Sequence, residues 1–192
     1  MGMSEKPAGH QIVCPWWLCF TFDNPLRRIF HQPEKILSPY LRPGDQAVDI
    51  GSGMGYFTIP MARLVGPLGR VTAVDLQEKM LSVVASRAIK KGVGDRIQTH
   101  RAASNSLGAH DQADFILAFW MVHEVPDQRR LLTEIRNLLK PKGRFLLVEP
   151  KLHVRREHFE NTLRLGGELG FVVRENPSIR LSRGAILDLK TR

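Results

Sequence analysis

From Gln46 to Leu189 the chain alternates between two hydrophobic patterns: short apolar runs of a few residues, and longer stretches whose apolar residues recur every third or fourth position. The first pattern fits strands buried on both faces, the second helices with one buried stripe. The runs predict strands over 47–50, 70–75, 96–100, 113–119, 144–149, 171–174 and 179–189, the third being the weakest. The stripes predict helices over 56–65, 78–91, 128–140 and 155–169. In 78–91 the stripe is Met80, Leu81, Val84, Ala85 and Ala88; in 128–140 it is Leu131, Leu132, Ile135, Leu138 and Leu139. Gly92, Pro141-Lys142-Gly143 and Gly170 stop these helices. A short helix from Pro33 to about Leu41 leads in.

Strands separated by helices of ten to fifteen residues imply parallel neighbours joined by right-handed crossovers, hence a doubly wound α/β sheet. The last two runs differ, because only Glu175-Asn176-Pro177-Ser178 separates them. They predict an antiparallel hairpin at the sheet edge. With 192 residues, no repeat and no linker, the expectation is one domain over 13–192 after a mobile stretch at 1–12. Within it, 13–41 is read as a lid over an acceptor, 46–149 as the ligand-binding core, and 150–192 as a C-terminal helix and hairpin.

Charge adds one feature. Lys and Arg outnumber Asp and Glu by 28 to 19, a net +9, and twelve basic against six acidic residues lie between Lys140 and Arg192. Such a surface can meet RNA or another anion, or simply keep the protein in solution. Cys14 and Cys19 are too few for a disulfide framework or a structural zinc site, which points to a reducing, cytoplasmic setting and to no bound metal. They sit with Pro15, Trp16, Trp17 and Phe20 in an apolar stretch too short to span a bilayer, so no membrane partner is expected. Two thiols there can hold a thiophilic acceptor, but buried, inert packing is the commoner fate of free cysteine.

The most specific signal is Asp49-Ile50-Gly51-Ser52-Gly53-Met54-Gly55, which leads from the first strand into the first long helix. Glycines there permit left-handed backbone and let a ligand approach the chain closely. Asp75 ends the next strand, where a carboxylate can accept both ribose hydroxyls of an adenine nucleoside. A tight turn without ligand would explain the glycines but not the acid in its place. A dinucleotide fits poorly: the helix-packing glycine of that fingerprint is replaced by Tyr56, and Asp49 would repel a pyrophosphate while suiting a cationic amino group.

At these residues the chain resembles the class I S-adenosylmethionine-dependent methyltransferases, particularly the small-molecule branch that includes ubiquinone and menaquinone biosynthesis methyltransferases. The resemblance covers 46–149 and runs through Val48 to Thr58, Val71 to Asp75, Asp114 to Phe119 and Leu138 to Arg144. It implies a Rossmann-like seven-stranded sheet, mostly parallel with an antiparallel C-terminal hairpin. It also implies S-adenosyl-L-methionine as cofactor. The cofactor's methionine end would lie on Asp49, Gly51, Ser52, Gly53 and Gly55, its ribose on Asp75, and its adenine against Leu76, with Ala103, Ser104 and Phe119 completing the site. Where many relatives carry an Asp that bonds the adenine amino group, this chain aligns Ala102-Ala103-Ser104, leaving Ser104 to substitute.

Methyl transfer from a sulfonium is an in-line displacement that can rely on alignment alone, and a base helps only when the acceptor loses a proton. His123, oriented by Glu124, is the candidate base beyond the fourth strand; the same pair can instead cap the next helix or close the pocket. The segment Phe119-Trp120-Met121-Val122 lacks the Asn-Pro-Pro-Tyr type of motif used on exocyclic amines, and no cysteine lies near the strand ends for a covalent mechanism. The expected acceptor is therefore a small apolar or weakly acidic molecule, with RNA methylation through the basic C-terminal surface, or non-catalytic binding of cofactor or partner, as alternatives. The oligomeric state is left as monomer or homodimer.

Overall fold

The structure, a computed structural model, describes residues 30–190. The mobile stretch expected at 1–12, the two cysteines and their tryptophans, and most of the expected lid lie outside the described residues. In chain order the elements are α1 (Pro33–Leu37), β1 (Gln46–Ile50), α2 (Thr58–Leu64), β2 (Arg70–Asp75), α3 (Glu78–Lys90), β3 (Ile97–Arg101), β4 (Ala113–Phe119), α4 (Gln128–Leu138), β5 (Leu139–Pro150), α5 (Arg156–Glu168), β6 (Phe171–Glu175) and β7 (Ser182–Leu189). The seven strands form one sheet in the order β3-β2-β1-β4-β5-β7-β6. Strands β1 to β5 are mutually parallel, whereas β7 runs antiparallel to both β5 and β6. The expected hairpin exists, but it is β6 that forms the edge while β7 inserts beside β5.

Two-residue periodicity splits the strand side chains between two buried layers. Val48, Ile50, Ile116, Ala118, Phe145 and Leu147 pack under α4 and α5, with Leu132, Ile135 and Phe159. Their neighbours Ala47, Phe115, Leu117, Leu146 and Val148 pack on the other face with Leu37, Met61 and Val65. The order of strands reverses between β1 and β4, and it is beside that reversal, at the carboxyl ends, that open α/β sheets leave a crevice for ligands.

Several boundaries moved for identifiable reasons. The helix expected over 128–140 stops at Leu138, because Pro141 drives Lys140 toward extended backbone; Leu139 pairs with Ala113, and the register skips to Arg144 opposite Phe115. The last strand begins at Ser182 rather than at Ile179, since Leu181 is left-handed (φ 60°) and Ser182 N–H closes a turn on Ile179 O at 3.1 Å. Helix α1 ends at Leu37, four residues short of the expected stop, and Ala85 lies exposed on α3 rather than in its buried stripe.

Candidate active site

A cavity of about 590 Å³ opens at the carboxyl ends of β1, β2 and β4, and it brings together nearly every residue singled out from the sequence. Asp49, Gly51, Ser52, Gly53, Asp75, Leu76, Ala103, Ser104, Phe119, His123 and Glu124 all line it. Gly55 does not. Its left-handed φ of 84° shapes the turn, and a Cβ there would lie 3.3 Å from Val84 of α3.

The other two glycines are also left-handed, with φ 71° at Gly51 and 51° at Gly53. Their surroundings differ. A Cβ on Gly51 would meet Met121 Cγ at 2.9 Å, whereas one on Gly53 would meet nothing within 4 Å. The turn is tied to β2 at three points: Gly51 and Ser52 donate to Val74 O at 2.8 and 3.0 Å, and Gly53 N–H donates to Asp75 Oδ2 at 2.9 Å. Asp75 Oδ1 accepts from Gln77 N–H at 2.9 Å. Burial raises the Asp75 pKa, and the N–H groups of Gln77, Gly53 and Leu76 oppose that rise. Each carboxylate oxygen has a second lone pair, so Asp75 retains capacity for the two hydroxyls of a ribose.

Asp49 is buried on α2's side of β1 and accepts from the Thr58 hydroxyl at 2.6 Å. The Ser52 hydroxyl is buried without a hydrogen-bond partner among the described residues. A buried hydroxyl in that state costs free energy, and a polar ligand group in the cavity would relieve it. At the other end, Ala103 N–H donates to Ser106 O at 2.9 Å, and Glu134 of α4 holds this loop by accepting from Ser106 Oγ and from Leu107 N–H at 2.6 Å.

On the acceptor side the structure corrects the sequence reading. His123 is oriented by Glu149, at the end of β5, and not by Glu124: Nδ1 lies 2.6 Å from Glu149 Oε2, and the His123 backbone N–H donates to Oε1 at 3.0 Å. Nor does the pair cap the next helix, whose N-cap is Asp127, accepting from Arg130 N–H. The hydrogen bond to Glu149 raises the His123 pKa above the usual histidine value, burial opposes this, and the charges of Glu149 and Glu124 reinforce it. Glu124 itself is raised, mainly by burial. Part of the same cavity's wall is aromatic. Phe57 and Phe119 have ring centroids 4.2 Å apart, and Trp120, left-handed at φ 61°, donates its Nε1–H to Ser182 Oγ at 2.9 Å. Left-handed backbone at a non-glycine residue costs about 1–2 kcal/mol and concentrates at functional sites.

Sequence reasoning missed Glu149, Tyr56, Phe57, Met80, Glu134 and His153. All but Glu149 line the cavity. An acid closing the apolar run Phe145 to Val148 was a visible signal for Glu149; the others carry no mark that separates wall from core.

The cavity's charge opposes that of the whole chain. Asp49, Asp75, Glu124, Asp127 and Glu134 line it against one arginine, Arg130, although the chain carries a net +9. Such an interior attracts a cation and repels phosphate.

Comparison with known proteins agrees with this geometry. The methyltransferase domain family model matches residues 48–147. The ubiquinone/menaquinone biosynthesis C-methyltransferase UbiE of Teredinibacter turnerae is 34% identical over 110 residues, covering 57% of this chain and 44% of that protein. UbiE of Brucella anthropi is 33% identical over 114 residues, 59% of this chain and 43% of that protein. The chain thus spans less than half the length of these curated relatives. A SAM-dependent methyltransferase from Aquifex aeolicus has the same fold, with a TM-score of 0.80 and 23% identity over 90% of this chain and 97% of that one. The cofactor of this fold and family is S-adenosylmethionine, and the unpaired Ser52 hydroxyl, the open space at Gly53 and the acid-lined cavity fit it. The chain belongs to the class I S-adenosylmethionine-dependent methyltransferase family.

Proposed function

We propose that this chain transfers a methyl group from S-adenosylmethionine to a small apolar or weakly acidic acceptor in a reducing, cytoplasmic setting. The observation that carries the reading is the acid-lined, partly aromatic cavity at the strand ends of a chain that is basic overall. When bound, the cofactor supplies an electrophilic methyl group on a sulfonium. The residues placed to hold it are Asp49 and the Gly51 to Gly53 turn for the methionine end, Asp75 for the ribose, and Leu76 with Ala103 and Ser104 for the adenine. Ala103 offers no side-chain acceptor to the adenine amino group, so that end rests on backbone and on Ser104.

Phe57, Phe119 and Trp120 supply a flat apolar wall for the acceptor, and His123 the group that takes its proton. Carboxylates in the cavity disfavour an RNA backbone there, which is why a small molecule is preferred to RNA. The C-methylation named for UbiE makes carbon one possible methylated atom.

The test is incubation with methyl-labelled S-adenosylmethionine and, separately, pooled small metabolites or total RNA. Label is expected in a small molecule. Label in RNA, or no transfer to either pool, contradicts the reading. For the ribose assignment, Asp75→Ala is expected to weaken cofactor binding by at least about 1.5 kcal/mol, roughly tenfold, the scale of a hydrogen bond to a charged group. Calorimetry giving an unchanged Kd removes that assignment.

A further inference from the structure

We infer that Glu149 is a positioning residue for the reaction: it fixes the His123 ring with Nδ1 protonated, leaving Nε2 as the nitrogen that accepts the acceptor's proton. The inference rests on the proposed function for the identity of that proton, but the geometry stands alone. Glu149 is only 2% exposed and is not part of the cavity wall, whereas His123 is. Both carboxylate oxygens are committed to one residue, Oε1 to the His123 backbone N–H and Oε2 to its Nδ1. The backbone contact places the residue and the side-chain contact sets the ring, so neither can slip without the other.

A buried carboxylate is an acceptor only, so the nitrogen facing it at 2.6 Å carries the hydrogen. In neutral imidazole the second nitrogen then holds the lone pair. Nε2 lies across the ring from Glu149, and the side chain's 29% exposure contrasts with 3% for that of Glu149. In the proton transfer that would accompany methylation, the acceptor's O–H or C–H bond breaks, its electron pair would form the new bond to the methyl carbon as the methyl–sulfur bond breaks and leaves its pair on sulfur, and the proton passes to Nε2. The resulting imidazolium is held by the Glu149 charge. The other ionisable groups facing this region are Glu124 on the same segment, Asp75 at the end of β2, His153 after β5, and Asp127, Arg130 and Glu134 at α4. None of them is hydrogen-bonded to the His123 ring among the described residues.

The test uses protein labelled with ¹⁵N-histidine, with His123 assigned by comparison with His123→Ala. Long-range ¹H–¹⁵N spectra across a pH titration are expected to show neutral His123 as the Nδ1–H form, titrating above the ordinary histidine value. In Glu149→Gln the amide can donate to Nδ1 or break with it, so the Nδ1–H form is expected to be lost and the midpoint to fall by about one pH unit. Glu149→Asp should restore part of both. Cofactor affinity should stay within about twofold in Glu149→Gln, because Glu149 does not line the cavity. An Nε2–H tautomer in the wild type overturns the inference even if no Glu149 variant folds, and so does a midpoint unmoved by Glu149→Gln. Failure of the proposed function reads differently: label would appear in RNA, or in neither pool, while the tautomer result stood.

Discussion

Gly53→Val is expected to abolish S-adenosylmethionine binding in calorimetry while the protein remains folded. At φ 51° a β-branched residue is strained by about 1–2 kcal/mol, which in a domain of this size lowers Tm by about 5 °C. Apart from its chain neighbours, no atom of the described residues lies within 4 Å of the new Cβ, so no described core side chain meets that Cβ. What the side chain would occupy is space at the cavity wall where a ligand must approach the turn. The backbone shift that relieves the strain would also pull Gly53 N–H from Asp75 Oδ2 and disturb the carboxylate assigned to the ribose. Gly51→Ala makes a useful contrast: at φ 71° it too is strained, and its Cβ would meet Met121 Cγ at 2.9 Å and Cβ at 3.0 Å, close to the Met121 backbone, so there the protein itself opposes the substitution. Binding retained in Gly53→Val would place the cofactor somewhere other than this turn.

The second large effect concerns His123. Saturated turnover by His123→Ala is expected to fall by about 100-fold, the scale of general-base catalysis. As a general base His123 acts in its deprotonated form, so wild-type turnover is expected to rise with pH. Because Glu149 raises the folded-state pKa, the midpoint of that rise lies above the ordinary histidine value rather than at it. In stability the same shift has the opposite sense: the pairing stabilises the fold fully below the ordinary histidine pKa and loses its effect as pH rises through the raised one. A residue that merely shaped the cavity would behave otherwise, with weaker binding and an unaltered pH profile of saturated turnover. The expectation of in-line transfer by alignment alone corresponds to that second pattern, and the His123–Glu149 contact is what now favours the first.

Local chemistry made most of this site legible in the sequence. Left-handed glycines between a strand and a helix, and an acid ending the following strand, are features that a few consecutive residues carry, and the structure brings Gly51, Gly53 and Asp75 together as expected. Contacts across the sheet were not legible. Glu149 lies 26 residues from His123, whereas Glu124 is adjacent in sequence, and adjacency misled because a neighbouring carboxylate cannot be told from a cross-strand one without the register of β4 against β5. Gly55 read as a third ligand contact because the motif repeats, but it lies outside the cavity lining, and a Cβ there would lie 3.3 Å from Val84 of α3. The boundary at Leu138 was recoverable in principle from Pro141, but Leu138 and Leu139 both continue the helical stripe and hid the change to strand.

The proposed cofactor position is the Gly51 to Gly53 turn at the carboxyl ends of the strands. Its most direct test is a ¹H–¹⁵N amide titration of the wild-type chain with S-adenosylhomocysteine. The largest shifts are expected at Gly51, Ser52 and Gly53, at Leu76 and Gln77 beside Asp75, and at Ala103 and Ser104. Shifts confined to residues away from this cavity, such as the loops at the amino ends of β1 and β4, or no saturable change at millimolar ligand, would contradict it.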